Sequence, residues 1–169
     1  TGEEHSLALT SDGRVVGWGI FCCSSVPDEL GDMTVVAVSA SETYNLALTD
    51  DGKLYGWPFG GRYLFEVPVR VGPIASISSG WNTTVVVGEN GRLQILGDSD
   101  DWVPDYLSGI TSLSVGSGPL EPSNLYKALG SDSYVETWNG DSLGRTEVPR
   151  DFPEIAGIDG YWGLTTGGN

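Results

Sequence analysis

Residues 44–57 read YNLALTDDGKLYGW: an alternating strand, a tight turn on Asp51-Gly52, and a second strand ending in Trp57. A near copy, HSLALTSDGRVVGW, fills residues 5–18. A weaker one, TTVVVGENGRLQIL, fills 83–96, and an eroded one, YKALGSDSYVETW, fills 126–138. Gly13, Gly52 and Gly91 are spaced by 39 residues, and Ser133, the eroded counterpart, follows after 42. Trp18, Trp57, Leu96 and Trp138 keep the same steps. A second landmark follows each hairpin: Val26-Pro27, Val67-Pro68, Val103-Pro104 and Val148-Pro149. Two landmarks in constant order, four times over, mean that one supersecondary unit is repeated and must bury its faces against copies of itself.

Each unit reads as four short strands. In the second these are Val35–Ala40, Tyr44–Thr49, Leu54–Phe59 and Phe65–Val69. Alternation puts Leu46 and Leu48 on one face and Ala47 on the other, so both faces are expected to be buried between stacked sheets. The Asp-Gly turns call for positive φ, which Gly adopts without steric cost. Asp132-Ser133 has no Gly and predicts a looser turn. Proline lacks an N–H, so each Val-Pro is expected at a strand edge or entry. No window carries helical periodicity. The expectation is an all-β β-propeller of about four-stranded antiparallel blades. It forms one domain, 1–169, with repeats at roughly 1–40, 41–80, 81–118 and 119–160 and the start of a fifth.

The ends qualify that picture. Residues 1–19 hold only the second and third strands of a unit, and residues 155–169 supply a first strand and part of a second. The ends overlap in repeat phase, so an incomplete ring or a segment of a larger propeller is expected. Thr1 stands inside a repeat and is not expected to be a natural start.

Composition narrows the partners. The formal net charge is −15, with Lys53 and Lys127 the only lysines. Such a surface repels phosphate backbones, which argues against nucleic acid and suits a basic protein or plain solubility. No apolar run reaches the roughly 20 residues that span a bilayer. Cys22 and Cys23 are adjacent and cannot form an unstrained disulfide, and two cysteines make no disulfide framework. The compartment stays open between secreted and intracellular. Asn82-Thr83-Thr84 is a glycosylation sequon that matters only on a secretory route.

The run from His5 to Val15, HSLALTSDGRV, with Gly17-Trp18-Gly19, resembles the regulator of chromosome condensation repeat. The resemblance covers essentially the whole chain, strongly in the first two units, fairly in the third and weakly in the fourth. The short period and the Val-Pro landmark look most like the subgroup that includes the propeller-type β-lactamase inhibitor protein. The resemblance implies a propeller, usually seven-bladed, that serves as a protein-binding platform. The chain departs from the family after Trp-Gly, where Ile20 to Ser25 and Phe59 to Tyr63 replace an Asn-rich loop with Gly-Gln. Nucleotide exchange on a small GTPase, known for the nuclear member, finds no matching motif, and no catalytic residue is carried over.

The loop before each second strand is the first candidate surface: Glu3 and Glu4, Glu42 and Thr43, Trp81 and Asn82, Glu121, then Tyr161 and Trp162. Equivalent loops of stacked blades lie side by side, and aromatics flanked by polar groups are common interface anchors. The inhibitor-type member implies the same use of aromatics here. Trp81 and Trp162 could equally pack on neighbouring blades. The loop after each third strand offers Phe21, Tyr63, Phe65, Asp98 to Trp102 and Asp141. Its acidic run lacks calcium-loop spacing and reads as solvated. Trp18, Trp57 and Trp138 read as packing, and His5, the single histidine, as a structural cap of a strand turn. No nucleophile elbow or phosphate loop occurs. The reading is a non-enzymatic protein-interaction module with no cofactor and no metal. Assembly through open blade edges, an exchange factor and a carbohydrate-binding propeller stand as alternatives.

Overall fold

In a computed structural model, the structure describes residues 5–19, 26–80, 82–97, 103–104, 107–116, 125–131, 134–138, 143–147, 155–159 and 162–165. For 146–147, 155–159 and 162–165 it describes the backbone. Among the described residues, fifteen strands form five antiparallel sheets in chain order. The first pairs β1 (His5–Leu9) with β2 (Val15–Gly19). The second is β3 (Val35–Ala40), β4 (Tyr44–Thr49), β5 (Leu54–Pro58) and β6 (Phe65–Glu66). The third is β7 (Ile74–Ser79), β8 (Thr83–Gly88) and β9 (Leu93–Gly97). The fourth is β10 (Ile110–Gly116), β11 (Leu125–Gly130), β12 (Tyr134–Trp138) and β13 (Leu143–Glu147). The last pairs β14 (Ile155–Asp159) with β15 (Trp162–Thr165). Within each sheet the strands meander in sequence order, and the first strands β3, β7, β10 and β14 lie next to one another. Successive meanders fanned out from adjacent first strands are the blades of a β-propeller, so the all-β expectation holds.

The four first strands carry one backbone signature. Each pairs its second strand across an irregularity after its first residue, at Val35/Ala37, Ile74/Ser76, Ile110/Ser112 and Ile155/Gly157. Such bulges add local twist, and here they recur once per blade. β14 is paired by β15 and so heads its own sheet. It does not supply the missing first strand of the β1–β2 sheet.

Two local expectations are revised. The hairpin loops hold three residues, not two. Thr10 N–H donates to the Arg14 carbonyl and Thr49 N–H to the Lys53 carbonyl, leaving Ser11–Gly13 and Asp50–Gly52 as the loops. Gly13 and Gly52 sit at φ 81° and Gly91 at 73°, the left-handed position that closes a three-residue hairpin. The Val-Pro landmark differs between units: β6 ends at Glu66 and Val67 N–H continues its ladder to the Leu54 carbonyl, so Val67-Pro68 stands at a strand edge as expected, whereas the first and third pairs do not. Pro27 is fully buried and opens a single 3₁₀ turn, Asp28–Asp32, with Leu30 N–H donating to the Pro27 carbonyl. Pro104 is buried too, and Leu107 N–H donates to its carbonyl. At Pro27 and Pro104 the landmark is therefore a plug between blades, where the ring needs no N–H partner; Pro68 is exposed, and Val148-Pro149 lies outside the described residues. The Asp132-Ser133 turn lies outside the described residues.

Each joint sets two opposite faces together. Leu7, Leu9 and Val15 of the first blade meet Ala47 and Trp57 of the second, with Leu30 and Val35. Leu46, Leu48 and Leu54 of the second meet Val86 and Leu96 of the third. Val85 and Val87 of the third meet Tyr126, Ala128 and Trp138 of the fourth, where the Tyr126 and Trp138 rings stack at 5.2 Å. We call the face toward the next blade trailing and the other leading. The alternation of Leu46, Ala47 and Leu48 is thus used on both sides.

Candidate functional site

The loops joining first to second strands form one rim. In the second blade the loop is held from within. Ser41 Oγ accepts the N–H groups of Thr43 (3.3 Å) and Tyr44 (3.0 Å), and Ser41 N–H donates to the Tyr44 carbonyl. Gly80 N–H makes the corresponding bond to the Thr83 carbonyl. A Cβ on Gly80 would stand 2.6 Å from Val115 Cγ1, so glycine lets the next blade close in. Thr43 and Asn82 are both exposed, and Thr43 Oγ1 donates to Asn82 Oδ1 across the joint at 2.8 Å. Two residues expected side by side from repeat phase are therefore in contact. Glu42 beside them is half-buried. Glu3, Glu4, Trp81, Glu121 and Tyr161 lie outside the described residues. Trp162 is the first residue of β15, opposite Asp159, in the backbone position that Leu46 takes opposite Ser39. Its backbone thus belongs to the strand and not to the loop.

Under this rim runs a polar ladder that the sequence reading did not identify. His5 Nε2–H donates to Asn45 Oδ1 at 2.6 Å, and both side chains are buried. One blade on, the hydroxyls of Tyr44 and Thr84 are hydrogen-bonded at 2.8 Å, and Thr84 also meets Ser79 Oγ at 2.7 Å. Nearer the axis, Ser39 Oγ accepts the Ser79 N–H and Ser78 Oγ accepts the Val115 N–H. Each bond satisfies a polar group that the blade's own ladder leaves free, as burial requires. The signal was present as a step of one repeat plus one residue: 5 to 45, 44 to 84. Burial pushes the Tyr44 phenol above its ordinary range, and the Thr84 and Ser41 hydroxyls pull part of the way back. His5 is thus structural, but it joins two blades and caps no turn. Its ring also lies 4.9 Å from Phe59.

Elsewhere, Tyr63 and Phe65 are exposed with rings 6.2 Å apart and 25° from parallel. The other members of that loop set, Phe21, residues 98–102 and Asp141, lie outside the described residues, as do Cys22 and Cys23. In the fourth blade Glu136 is buried beside Arg145, with Oε1 3.0 Å from Nε, and the Arg145 guanidinium covers the Tyr134 ring at 4.0 Å. Only the carboxylate is buried, the Arg145 side chain being half exposed, and the pair joins neighbouring strands without being a strong stability argument. Among the described residues no three His, Cys, Asp or Glu side chains come together as metal ligands. No helix among them is long and apolar enough to cross a membrane.

A meander of antiparallel blades, joined by a polar ladder from blade to blade, defines a β-propeller. The profile of the Regulator of chromosome condensation (RCC1) repeat matches residues 1–24. No curated protein matches the sequence. Among solved structures, Prp20p from Saccharomyces cerevisiae superposes with a TM-score of 0.70 at 16% identity, over 98% of this chain and 54% of its own. Human WBSCR16 does so at 0.66 and 18%, over 93% and 54%. The entire ectodomain of the receptor kinase CR4 from Physcomitrella patens follows at 0.64 and 19%, over 98% and 48%. At these identities the likeness establishes the fold. The chain spans about half the length of each.

Proposed function

We propose that this chain is a non-enzymatic protein-interaction module of the regulator of chromosome condensation repeat kind, whose rim before the second strands receives a basic protein. The observation that carries the reading is the Thr43–Asn82 hydrogen bond. It joins two exposed candidate residues of successive blades into one fixed surface, and rigid loops concentrate binding. The net charge of −15 supports a basic partner by steering its approach. Glu3, Glu4, Glu42, Trp81, Glu121, Tyr161 and Trp162 are the further residues assigned to this face or its edge. The solved relatives support a protein partner as well: Prp20p was described for its binding to Gsp1p and histones, and yeast RCC1 (Prp20) was crystallised bound to Kap60. The short period and the Val-Pro plug favour kinship with the inhibitor-type subgroup.

The test uses purified core histones as a basic probe against the immobilised chain. Binding is expected, with an on-rate that falls steeply as salt rises. Thr43→Arg combined with Asn82→Arg is expected to weaken it about tenfold, or roughly 1.4 kcal/mol. Binding untouched by that pair but lost with Tyr63→Ala would move the site to the β5–β6 loops, which leave the same end of the blades where Phe59 N–H donates to the Thr43 carbonyl. No binding, or binding indifferent to salt, would remove the basic-partner reading.

A further inference from the structure

Asn82-Thr83-Thr84 is the one glycosylation sequon in the sequence. The fold gives its residues different settings. Asn82 is exposed, on the loop just before β8. Thr83 and Thr84 begin the strand, and both are buried. At Gly97, opposite Thr83, a Cβ would run into the Asn82 backbone carbonyl, so glycine there lets the loop close onto β9. The backbone of Asn82 is thus packed while its side chain stays outside.

The two ends of the Asn82 amide are used differently. Oδ1 accepts the Thr43 hydroxyl across the joint at 2.8 Å. Nδ2, the atom to which an N-glycan is attached, has no hydrogen-bond partner among the described residues. An N-linked sugar keeps the amide oxygen and replaces one hydrogen on Nδ2, so a glycan there leaves the Thr43 bond in place. Thr84 is the reverse case. It is 0% exposed, and its hydroxyl is bonded to Tyr44 Oη at 2.8 Å and to Ser79 Oγ at 2.7 Å. A transferase reads the sequon through that hydroxyl as well as through the amide. The closed joint withholds it.

We propose that Asn82 is an N-glycan attachment site of this chain, filled before the second and third blades close on each other. The donor is a lipid-diphosphate-linked oligosaccharide. Asn82 Nδ2 forms a bond to the anomeric carbon of the first sugar, and the bond from that carbon to the diphosphate oxygen breaks. The lipid diphosphate leaves, and Nδ2 gives up one proton. The acceptor segment is open only before folding, because Gly80 N–H on the Thr83 carbonyl and the Tyr44 hydroxyl on Thr84 then hold it in the joint. After folding the glycan stands on an exposed loop, where its bulk and polarity are accommodated. The site stands whether or not a basic protein binds the rim. Where one does, a glycan on Asn82 covers the surface it would use.

The experiment sends the full chain through the secretory route of eukaryotic cells behind a cleavable signal sequence. Intact mass is read before and after peptide-N-glycosidase, which turns a glycan-bearing asparagine into aspartate. The native chain is expected to carry one oligosaccharide, mapped to Asn82 by peptide mass. Asn82→Gln and Thr84→Val are expected to lose it, and Thr84→Ser to keep it. Asn82 is exposed, so Asn82→Gln reads the site without disturbing the core. A secreted native chain without the oligosaccharide overturns the proposal, and so does an oligosaccharide that survives Asn82→Gln. Timing is read on chain made in bacteria and given to solubilised microsomes with the lipid-linked donor. The folded native chain is expected to stay unmodified. Val86→Asp, which puts a charge into the buried joint between the second and third blades, is expected to be modified. Equal modification of the two overturns the timing, and an open Val86→Asp chain left unmodified overturns the site. This second arm decides the site if the native chain is not secreted.

Discussion

Trp18 and Trp57 occupy the same step of the same repeat, lie on the same kind of strand, and stand opposite polar residues, Ser6 and Asn45. One is 53% exposed and the other 0%. The difference lies wholly in the neighbour. Trp57 has the trailing face of the first blade against it, with Leu7, Leu9 and the Val-Pro plug that sends Leu30 into the gap. A repeat of this kind carries both halves of an interface on every unit, so the local sequence prescribes a shape of contact without saying whether the contact is made. The hydrophobic term then appears only where a second face removes the surface from water.

The largest way to break the comparison is to truncate both rings. Trp57→Ala should cost about 3–5 kcal/mol, the transfer of a large buried side chain plus the cavity that a rigid joint retains. Trp18→Ala, measured in urea at a concentration where the chain is monomeric, should stay within about 0.5 kcal/mol. Equal losses would mean that Trp18 is covered in the isolated chain, and the contrast would collapse.

The turns give a smaller contrast. The first two hairpins hold Thr10 and Thr49 where the third holds Gly88. A Cβ on Gly88 would lie 2.5 Å from the Val71 carbonyl oxygen and 2.8 Å from Asn90 Oδ1. Asn90 Nδ2 donates to that same carbonyl at 2.9 Å, drawing the preceding segment onto the turn. Gly88→Thr, which would restore the repeat, should therefore destabilise by about 2–3 kcal/mol through overpacking against backbone. A neutral or stabilising result in thermal unfolding would show that the segment near Val71 can retreat.

Weaker again is the ladder. Asn45→Ala leaves the buried His5 Nε2–H without its acceptor and should cost about 1–2 kcal/mol. Replacing both partners with apolar residues, His5→Phe with Asn45→Leu, should recover much of that loss. A double-mutant cycle reads the coupling directly, and a coupling near zero would reduce the ladder to incidental contact.

Much of this architecture was legible in the sequence because it is periodic. Strand positions in the second unit, the sheared faces of Leu46 and Ala47, and the positive φ of the turn glycines follow from alternation and from Asp-Gly chemistry. What escaped depends on the third dimension. Val26-Pro27 looks like the strand edge that Val67-Pro68 is, until Pro27 is seen buried at the head of a 3₁₀ turn. The partners His5 and Asn45 sit 40 residues apart, one more than the period, because a bond between neighbouring blades crosses from a trailing side chain to a leading one. Of the candidate rim, repeat phase placed Thr43 beside Asn82 correctly, since loops of stacked blades keep their phase. It could not tell that Trp162 lies in a strand, because the loop before β15 is shorter than its counterparts, with Asp159 and Trp162 facing across two residues.

The smallest predicted effect separates the first two turns from the third by pH. The Thr10 hydroxyl donates to Asp12 at 2.5 Å, the Thr49 hydroxyl donates to Asp51 at 2.6 Å, and both carboxyls are held below the ordinary range. In each the hydroxyl is the leading cause, ahead of the charge of Arg14 at 3.2 Å or Lys53 at 3.6 Å. A carboxylate held low in the fold contributes stability above its unfolded value and loses it as pH falls through the lowered one. The third turn has Asn90 in place of the acid and contributes nothing of the kind. Carbon chemical shifts of the two carboxyls, followed from neutral to acid pH, should give midpoints below those of exposed aspartates. Thr10→Val and Thr49→Val should each raise the adjacent midpoint toward the ordinary range, while high salt should move it little, because a hydrogen bond is not screened as an exposed ion pair is. Midpoints unmoved by the valines but raised by salt would reverse the ranking and assign the shift to Arg14 and Lys53. The repeat would then differ from unit to unit in its basic residue, and the threonine would be a matter of turn shape alone.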